Sequence, residues 1–301
     1  MVVSSAPGHH TGEIAHKGLK RTYRIHIPQS FSREKPVPLV VALHGGGGTG
    51  MHMERLTLDG FNTLSDKEGF IVVYPDGIER HWNDGRTKVR YRTHREKIDD
   101  VGFLSALIDR LIEERNVDPR RVYATGMSNG AMMSFRLACE VPHKLAAVAP
   151  VGGAMPVEQK QLCKHTTPIC VLVMANTMDP CVPWGGGQIR VAFRPLGTVL
   201  SVPDSVQFWA AHNGCSATPA VTTLPDSDSQ DGTRVRREVY RGGRKGTEVV
   251  LYAIEGGGHT WPSGHQYLAE RYIGRTCRDI NACQVIWEFF KRHARERGDL
   301  K

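Results

Sequence analysis

The chain of 301 residues contains no long uncharged apolar run, so a membrane span is not expected. It contains no C-x-x-C pair, which removes the common zinc spacings and leaves no metal site to expect. Residues 1–12, with Ser4, Ser5, Pro7, Gly8, His9 and His10, lack the apolar core of a secretory leader. Residues 1–19 are therefore read as a flexible N-terminal segment, any leader having been removed. Aromatics amount to 7%, and no basic patch is interleaved with them. Without such a patch the net charge of +8, scattered over residues such as Arg234, Arg236, Arg237, Arg241 and Arg244, reads as a solvated strand face. Nucleic-acid binding is not expected, although adsorption to an acidic polymer is left open. Seven cysteines cannot all pair within one chain. Cys163 with Cys170, or Cys277 with Cys283, would close small loops, and Cys139 suits a buried helix position.

Against these absences stands one stretch with strong local grammar. Val122 to Thr125 is β-prone, and from Ala131 the apolar residues Met132, Phe135, Leu137 and Cys139 recur at roughly helical spacing. Between them Gly126, Ser128 and Gly130 spell G-x-S-x-G, the strand-to-helix turn that lifts a serine hydroxyl clear of a sheet edge. A Cβ at either glycine would strike neighbouring backbone where the turn is tightest. The amide of Asn129 opens the helix and is a candidate oxyanion donor.

Thr22 to Ile27 alternates like a half-buried strand, and Leu39 to Leu43 is an unbroken apolar run suited to a strand covered on both faces. His44 and the glycines 45–48 follow it. No Gly-Lys-Ser/Thr comes next, so a phosphate loop is disfavoured and Gly45 to Gly47, with Gly46 central, become the second half of an oxyanion hole. Residues 52–66 look helical, Phe70 to Tyr74 forms a strand, and Asp99 or Asp100 caps a helix carrying Val101, Leu104, Ile108 and Leu111. The polar loop from Ile78 to Lys97 is long enough to suggest a substrate-facing role, with Trp82 a candidate aromatic wall or, equally, a loop anchor. Further strands at Leu145–Val151 and Pro168–Met174 complete an alternation that predicts an α/β fold, with a mainly parallel central sheet and helices on both faces. Residues 20–295 make one domain and 296–301 a tail. The Gly-rich segment from Trp184 to Val202 is a candidate rim or lid.

A serine needs a base, and the base needs an acid, which in an α/β-hydrolase follow in the order Ser, Asp or Glu, His. Asp179 lies just beyond the Val171–Met174 run and is fixed by Pro180, so it is the candidate acid; Asp204 and Glu255 are weaker. His259 lies in a glycine-flanked loop after the last β-rich run, Val249 to Ile254, and is the candidate base. Trp261 beside it is a candidate pocket residue, with structural packing as the alternative. A closing helix carries Val285, Ile286, Phe289 and Phe290 on one face.

Taken in order, His44-Gly45-Gly46, Tyr74-Pro75-Asp76-Gly77, Trp82-Asn83-Asp84-Gly85, Asp99-Asp100-Val101-Gly102-Phe103, Gly126-Met127-Ser128-Asn129-Gly130, Asp179-Pro180-Cys181-Val182-Pro183 and Gly257-Gly258-His259-Thr260-Trp261-Pro262 resemble the polyhydroxybutyrate-depolymerase-like esterases, which include many feruloyl esterases. The resemblance spans about residues 20–290. It implies an α/β-hydrolase fold, Ser128 as nucleophile, Asp179 as acid, His259 as base, no metal or organic cofactor, and often secretion. The substrate it implies is an ester of a hydroxycinnamic acid on plant polysaccharide, or a polyester. Two departures bear on substrate preference. Ala175-Asn176 stands where the family usually has His-Gly, and a basic run, Lys88 to Lys97, replaces a small or cysteine-containing sequence. The expected function is a serine ester hydrolase, feruloyl esterase first and polyester hydrolase second. Trp82, Trp261 and His44 are the expected substrate contacts. A peptidase or acyltransferase on the same fold and a catalytically dead polymer-binding module are the rivals.

Overall fold

The computed structural model of the chain describes residues 6–191, 194–296 and 298. Strand β1 (Gly8–His16) pairs antiparallel with β2 (Leu19–Ile27). This corrects the expectation of a flexible N-terminal segment for Gly8–His16. The strand has little apolar content of its own; its ladder to β2 supplies its backbone hydrogen bonds, so only the partner reveals it. Residues 1–5, 297 and 299–301 of the expected tails lie outside the described residues.

The strands β3 (Val37–Leu43), β4 (Ile71–Pro75), β5 (Val117–Met127), β6 (Ala147–Val151) and β7 (Cys170–Asn176) follow, then a separate hairpin of β8 (Gly187–Val191) and β9 (Arg194–Val199). The last three are β10 (Ala220–Thr223), β11 (Arg234–Tyr240) and β12 (Val249–Glu255). The ten-stranded sheet runs β1-β2-β4-β3-β5-β6-β7-β12-β11-β10. Its six central strands, β4 to β12 in that order, are parallel, with antiparallel strands at both edges.

In β3 the apolar run is unbroken because both faces are covered. Leu39, Val41 and Leu43 enter one core layer, and Val40 and Ala42 enter the other. The helices divide accordingly. Helices α1 (Gly50–Leu56), α2 (Gly60–Glu68) and α9 (Ala282–Phe290) cover one face through Met53, Phe61, Ile286 and Phe290. Helices α4 (Asp100–Arg115), α5 (Asn129–Glu140) and α7 (Val202–Asn213) cover the other through Leu104, Phe135 and Trp209. Short helices α3 (Arg92–Arg95), α6 (Gln159–Leu162) and α8 (Glu270–Ile273) lie in connections.

Four expectations are changed or resolved in detail. The helix read over residues 52–66 is two helices, interrupted where Leu58 and Asp59 take left-handed backbone at φ 52° and 55°. Asp99 caps α4 by accepting from the Gly102 N–H, whereas Asp100 is buried and pairs with Arg21. The Gly-rich Trp184–Val202 segment contains the regular β8–β9 hairpin. The disulfide joins Cys139 to Cys163, neither of the pairs suggested by short loops. Cys163 follows directly after α6, which packs on α5, so proximity comes from helix packing across 24 residues of sequence.

Candidate active site

Strand β5 ends in the predicted turn. Ser128 has φ 57° and ψ −113°, a strained conformation for a non-glycine residue, and its N–H donates to the Val151 carbonyl at 3.0 Å. A Cβ on Gly126 would lie 2.7 Å from the Leu43 oxygen, and one on Gly130 only 2.3 Å from the same atom. Both glycines are thus required by the neighbouring strand β3. Ser128 opens into a cavity of about 400 Å³, whose walls include Gly46, Met53, Leu56, His259 and Tyr267.

The glycine run after β3 meets the turn from the adjacent strand. The Gly47 N–H donates to the Arg80 carbonyl at 2.8 Å and that of Gly48 to the Gly45 carbonyl at 3.0 Å. Those of Gly46 and Asn129 have no partner among the described residues. Two undirected amides on either side of a strained serine can receive a developing negative charge.

His44 holds this run from behind. Its Nδ1 donates to the Gly45 carbonyl at 2.7 Å and its Nε2 accepts from the Gly77 N–H at 2.9 Å, which fixes a neutral ring. Burial pushes its pKa down to about 4, against the opposing pull of the Gly45 carbonyl. His44 lines the cavity wall but only 1% of it is exposed.

The loop after β7 carries Asp179 and the loop after β12 carries His259. His259 Nδ1 donates to Asp179 Oδ2 at 2.6 Å, while Asp179 Oδ1 accepts from the amides of Cys181 and Val182, each at 2.8 Å. The carboxylate is therefore held from both sides, and the imidazole is held by the carboxylate. Both residues are buried, and His259 and Ser128 share the cavity.

Trp82 and Trp261 are not in the cavity wall, which corrects the expectation of two indole surfaces. Trp82 is fully buried; its Nε1 donates to the His44 carbonyl at 3.0 Å and its backbone N–H donates to Asn129 Oδ1 at 2.8 Å. Asn129 Nδ2 donates in return to the Trp82 carbonyl and to Asp84 Oδ2. Trp82 is thus a brace between the two amide-bearing segments. Trp261 is 1% exposed and packs edge-on against Phe61 under α1 and α2. The burial follows from indoles having more surface to hide than a polar loop can leave wet.

Two contributors escaped the sequence reading. Asp84 lies fully buried among Arg86, His94 and Asn129; burial works to raise its pKa, but Arg86 and His94 outweigh it and hold the carboxyl far below the usual range. Tyr267 lines the cavity and its hydroxyl donates to the His259 carbonyl at 2.9 Å. The first was visible only as part of Trp82-Asn83-Asp84-Gly85, and the second carried no signal beyond lying eight residues after His259.

Donor atoms of Asp179, Cys181 and His259 lie within 4.8 Å of one another, as do those of Asp231, Cys277 and Asp279. In the first set Asp179 and His259 already bind each other, and burial beside Asp179 pushes the Cys181 thiol up to about 11, leaving a protonated and weak ligand. In the second set both carboxylates accept backbone amides, Asp231 from Thr233 and Arg278 and Asp279 from Ser227 and Asp228.

A parallel sheet with helices on both faces, a strained serine at a strand end and an Asp–His pair on two later loops define an α/β-hydrolase, and comparison with known proteins agrees. Residues 21–166 match the family described as "Esterase PHB depolymerase". The "Putative esterase NocK" of Nocardia uniformis subsp. tsuyamanensis is 31% identical over 92% of this chain and 81% of its own length. "Feruloyl esterase B" of Piromyces equi is 28% identical over 80% of this chain but only 42% of its own length. Among solved structures, the acetyl xylan esterase from Aspergillus awamori superposes with a TM-score of 0.59 at 15% identity, covering 83% of this chain and 94% of that one. The chain belongs to the esterase/PHB depolymerase family and is a carboxylic-ester hydrolase. Among the described residues, no helix is long and apolar enough to cross a membrane.

Proposed function

We propose that Ser128, His259 and Asp179 form the catalytic triad and that the substrate is a hydroxycinnamoyl ester of plant polysaccharide. The observation that carries the triad is the 2.6 Å bond to Asp179 from Nδ1 of His259, which lines the same cavity as Ser128. His259 Nε2 takes the Ser128 proton as Oγ attacks the ester carbonyl. The carbonyl electrons move to oxygen, and the Gly46 and Asn129 amides bind the oxyanion. Collapse expels the alcohol, which His259 protonates, and leaves an acyl-serine. Water then attacks that acyl group with His259 as base, releasing the acid and restoring the serine. No step in this sequence requires a metal or an organic cofactor.

The acyl preference is supported by the similarity to a feruloyl esterase and by the cavity, where Tyr267, Met53, Leu56 and Met127 offer flat and apolar surface. Secretion is supported by the Cys139–Cys163 disulfide, which suits an oxidising compartment. Replacing Ser128 by Ala is expected to lower turnover of a p-nitrophenyl ester by about four to six orders of magnitude, and a fluorophosphonate is expected to label Ser128. Near-normal hydrolysis by the variant ends the triad assignment, and absence of labelling favours a non-catalytic module. Methyl ferulate and hydroxybutyrate oligomers assayed side by side test the acyl group; cleavage of the oligomers alone turns the reading to a polyester hydrolase.

A further inference from the structure

We infer that a second cavity, beside the oxyanion side of the active site, binds carboxylates of the substrate polymer, so that the preferred ester is carried on an acidic, uronate-bearing polysaccharide. This deepens the proposed function and rests on its polysaccharide reading.

The cavity measures about 860 Å³ and is lined by Lys88, Arg90, Tyr91, Arg95, Arg194 and the apolar Val89 and Leu196 among others. That volume lies in the roughly 300–1,000 Å³ range of ligand pockets. It is built between the Ile78–Lys97 loop and the β8–β9 hairpin, which are tied together by a hydrogen bond of 2.5 Å from Arg86 to the Leu196 carbonyl. Four exposed cations line it, and none of them forms an ion pair among the described residues. Other basic residues of the chain behave otherwise. Arg92, on the same short helix as Arg95, pairs with Glu96, and Arg110, Arg136 and Lys144 pair with Glu114, Glu140 and Asp109. Four like charges around one concavity repel unless an anion enters, and the guanidinium fork matches a carboxylate with two hydrogen bonds.

Its location links it to catalysis. Tyr91 stacks on His81 with ring centroids 3.5 Å apart, and His81 lies 3.4 Å from where a Cβ on Gly46 would stand. Two side chains therefore separate the basic cavity from the proposed oxyanion donor. The loop is also anchored to the serine turn through the Asn129–Asp84–Arg86 contacts. A polymer chain whose ester enters the Ser128 cavity would carry its neighbouring sugars across Tyr91 and their carboxylates to these cations. Nucleic acid fits less well, because one face of Tyr91 is already taken by His81 and no other aromatic ring among the described residues lines the wall.

The test is titration of the Ser128→Ala protein with hexagalacturonate, xylohexaose and a single-stranded oligonucleotide, repeated with Arg90→Gln, Arg95→Gln and Arg194→Gln added together. Melting temperatures check that the added changes leave the fold intact, and single Arg→Lys replacements stand in if they do not. Hexagalacturonate is expected to bind in preference to xylohexaose, to weaken at high salt, and to lose at least about tenfold in affinity in the triple variant. Equal binding by the triple variant, no binding to the unsubstituted cavity, or preference for the oligonucleotide overturns the inference. If hexagalacturonate binds as expected while the unmodified enzyme cleaves no feruloyl ester, the basic cavity stands and the feruloyl reading falls.

Discussion

Replacing Asp179 by Asn puts the proposed triad to a test that geometry makes unusually sharp. Asp179 Oδ1 accepts two backbone N–H groups, from Cys181 and Val182, each at 2.8 Å, and Oδ2 accepts from His259 Nδ1 at 2.6 Å. An asparagine has one oxygen, and two amides compete for it against one imidazole. Turning the NH2 towards the two backbone donors would leave both unsatisfied at about 1–3 kcal/mol each, so about 2–6 kcal/mol opposes that orientation. The NH2 therefore faces His259, whose Nδ1 must now accept. The ring proton moves to Nε2, the atom needed to take the proton of Ser128. Turnover should fall by about 10,000-fold while the nearly isosteric change leaves the melting temperature close to that of the parent. The assay is kcat for a p-nitrophenyl ester near neutral pH, with calorimetry on the same samples. A variant within tenfold of the parent in kcat would refute both the tautomer argument and Asp179 as the acid.

Three further outcomes follow from the same structure. Trp82→Phe keeps the packing but removes the bond to the His44 carbonyl, so kcat should fall by up to about tenfold with KM for aromatic esters little changed; a rise in KM alone would return Trp82 to the pocket wall. Removing the Cys139–Cys163 bond by replacing both residues with Ala frees a loop of 24 residues' separation, and urea unfolding should report a loss of about 3 to 4 kcal/mol. No loss would mean that the link contributes nothing. The His44 pKa falls from its ordinary 6.5 to about 4 on folding. Above pH 6.5 both states are neutral and His44 adds nothing, whereas between 6.5 and 4 only the unfolded chain takes the proton and stability drops by about 3 kcal/mol. The difference in unfolding free energy between the parent and His44→Gln should change across that pH window, and a flat difference would contradict the burial argument.

What could be read from the chain alone was whatever has a local cause. The parallel strands announced themselves because burial on both faces demands an unbroken apolar run, as in Leu39 to Leu43. The serine turn was legible because its steric demand selects glycine at positions 126 and 130, and the structure puts the Leu43 oxygen where a Cβ would go. Strand β1 was not legible, since His9, Thr11 and Glu13 become strand only by pairing with β2. The disulfide failed for a related reason, because short sequence separation says nothing about which helices touch. Trp82 and Trp261 were misjudged because an aromatic residue in a polar loop looks equally suited to a pocket or an anchor until its burial is known.

The register of the sheet explains why residues so far apart in sequence meet at one edge. Strand β7 pairs in parallel with β12, with Asn176 opposite Ile254, so the loops carrying Asp179 and His259 leave the sheet side by side despite 80 residues between the two side chains. Strand β3 pairs in parallel with β5, with Leu43 opposite Gly126, which delivers the glycine run next to Ser128. Parallel pairing sends all four loops out at the carboxyl ends of their strands, so one edge collects Ser128, His259, Asp179 and both unpartnered amides. An antiparallel neighbour would have sent its loop to the opposite edge. The β8–β9 hairpin lies outside this sheet, so its contribution to the basic cavity can vary independently of the edge that carries the proposed triad. The same argument separates the chemistry from the preference. On the proposed reading, changes in the hairpin or in the Lys88–Lys97 run would alter which polymer is held without moving any strand end, whereas a change in the register of β3, β5, β7 or β12 would disperse the proposed catalytic groups.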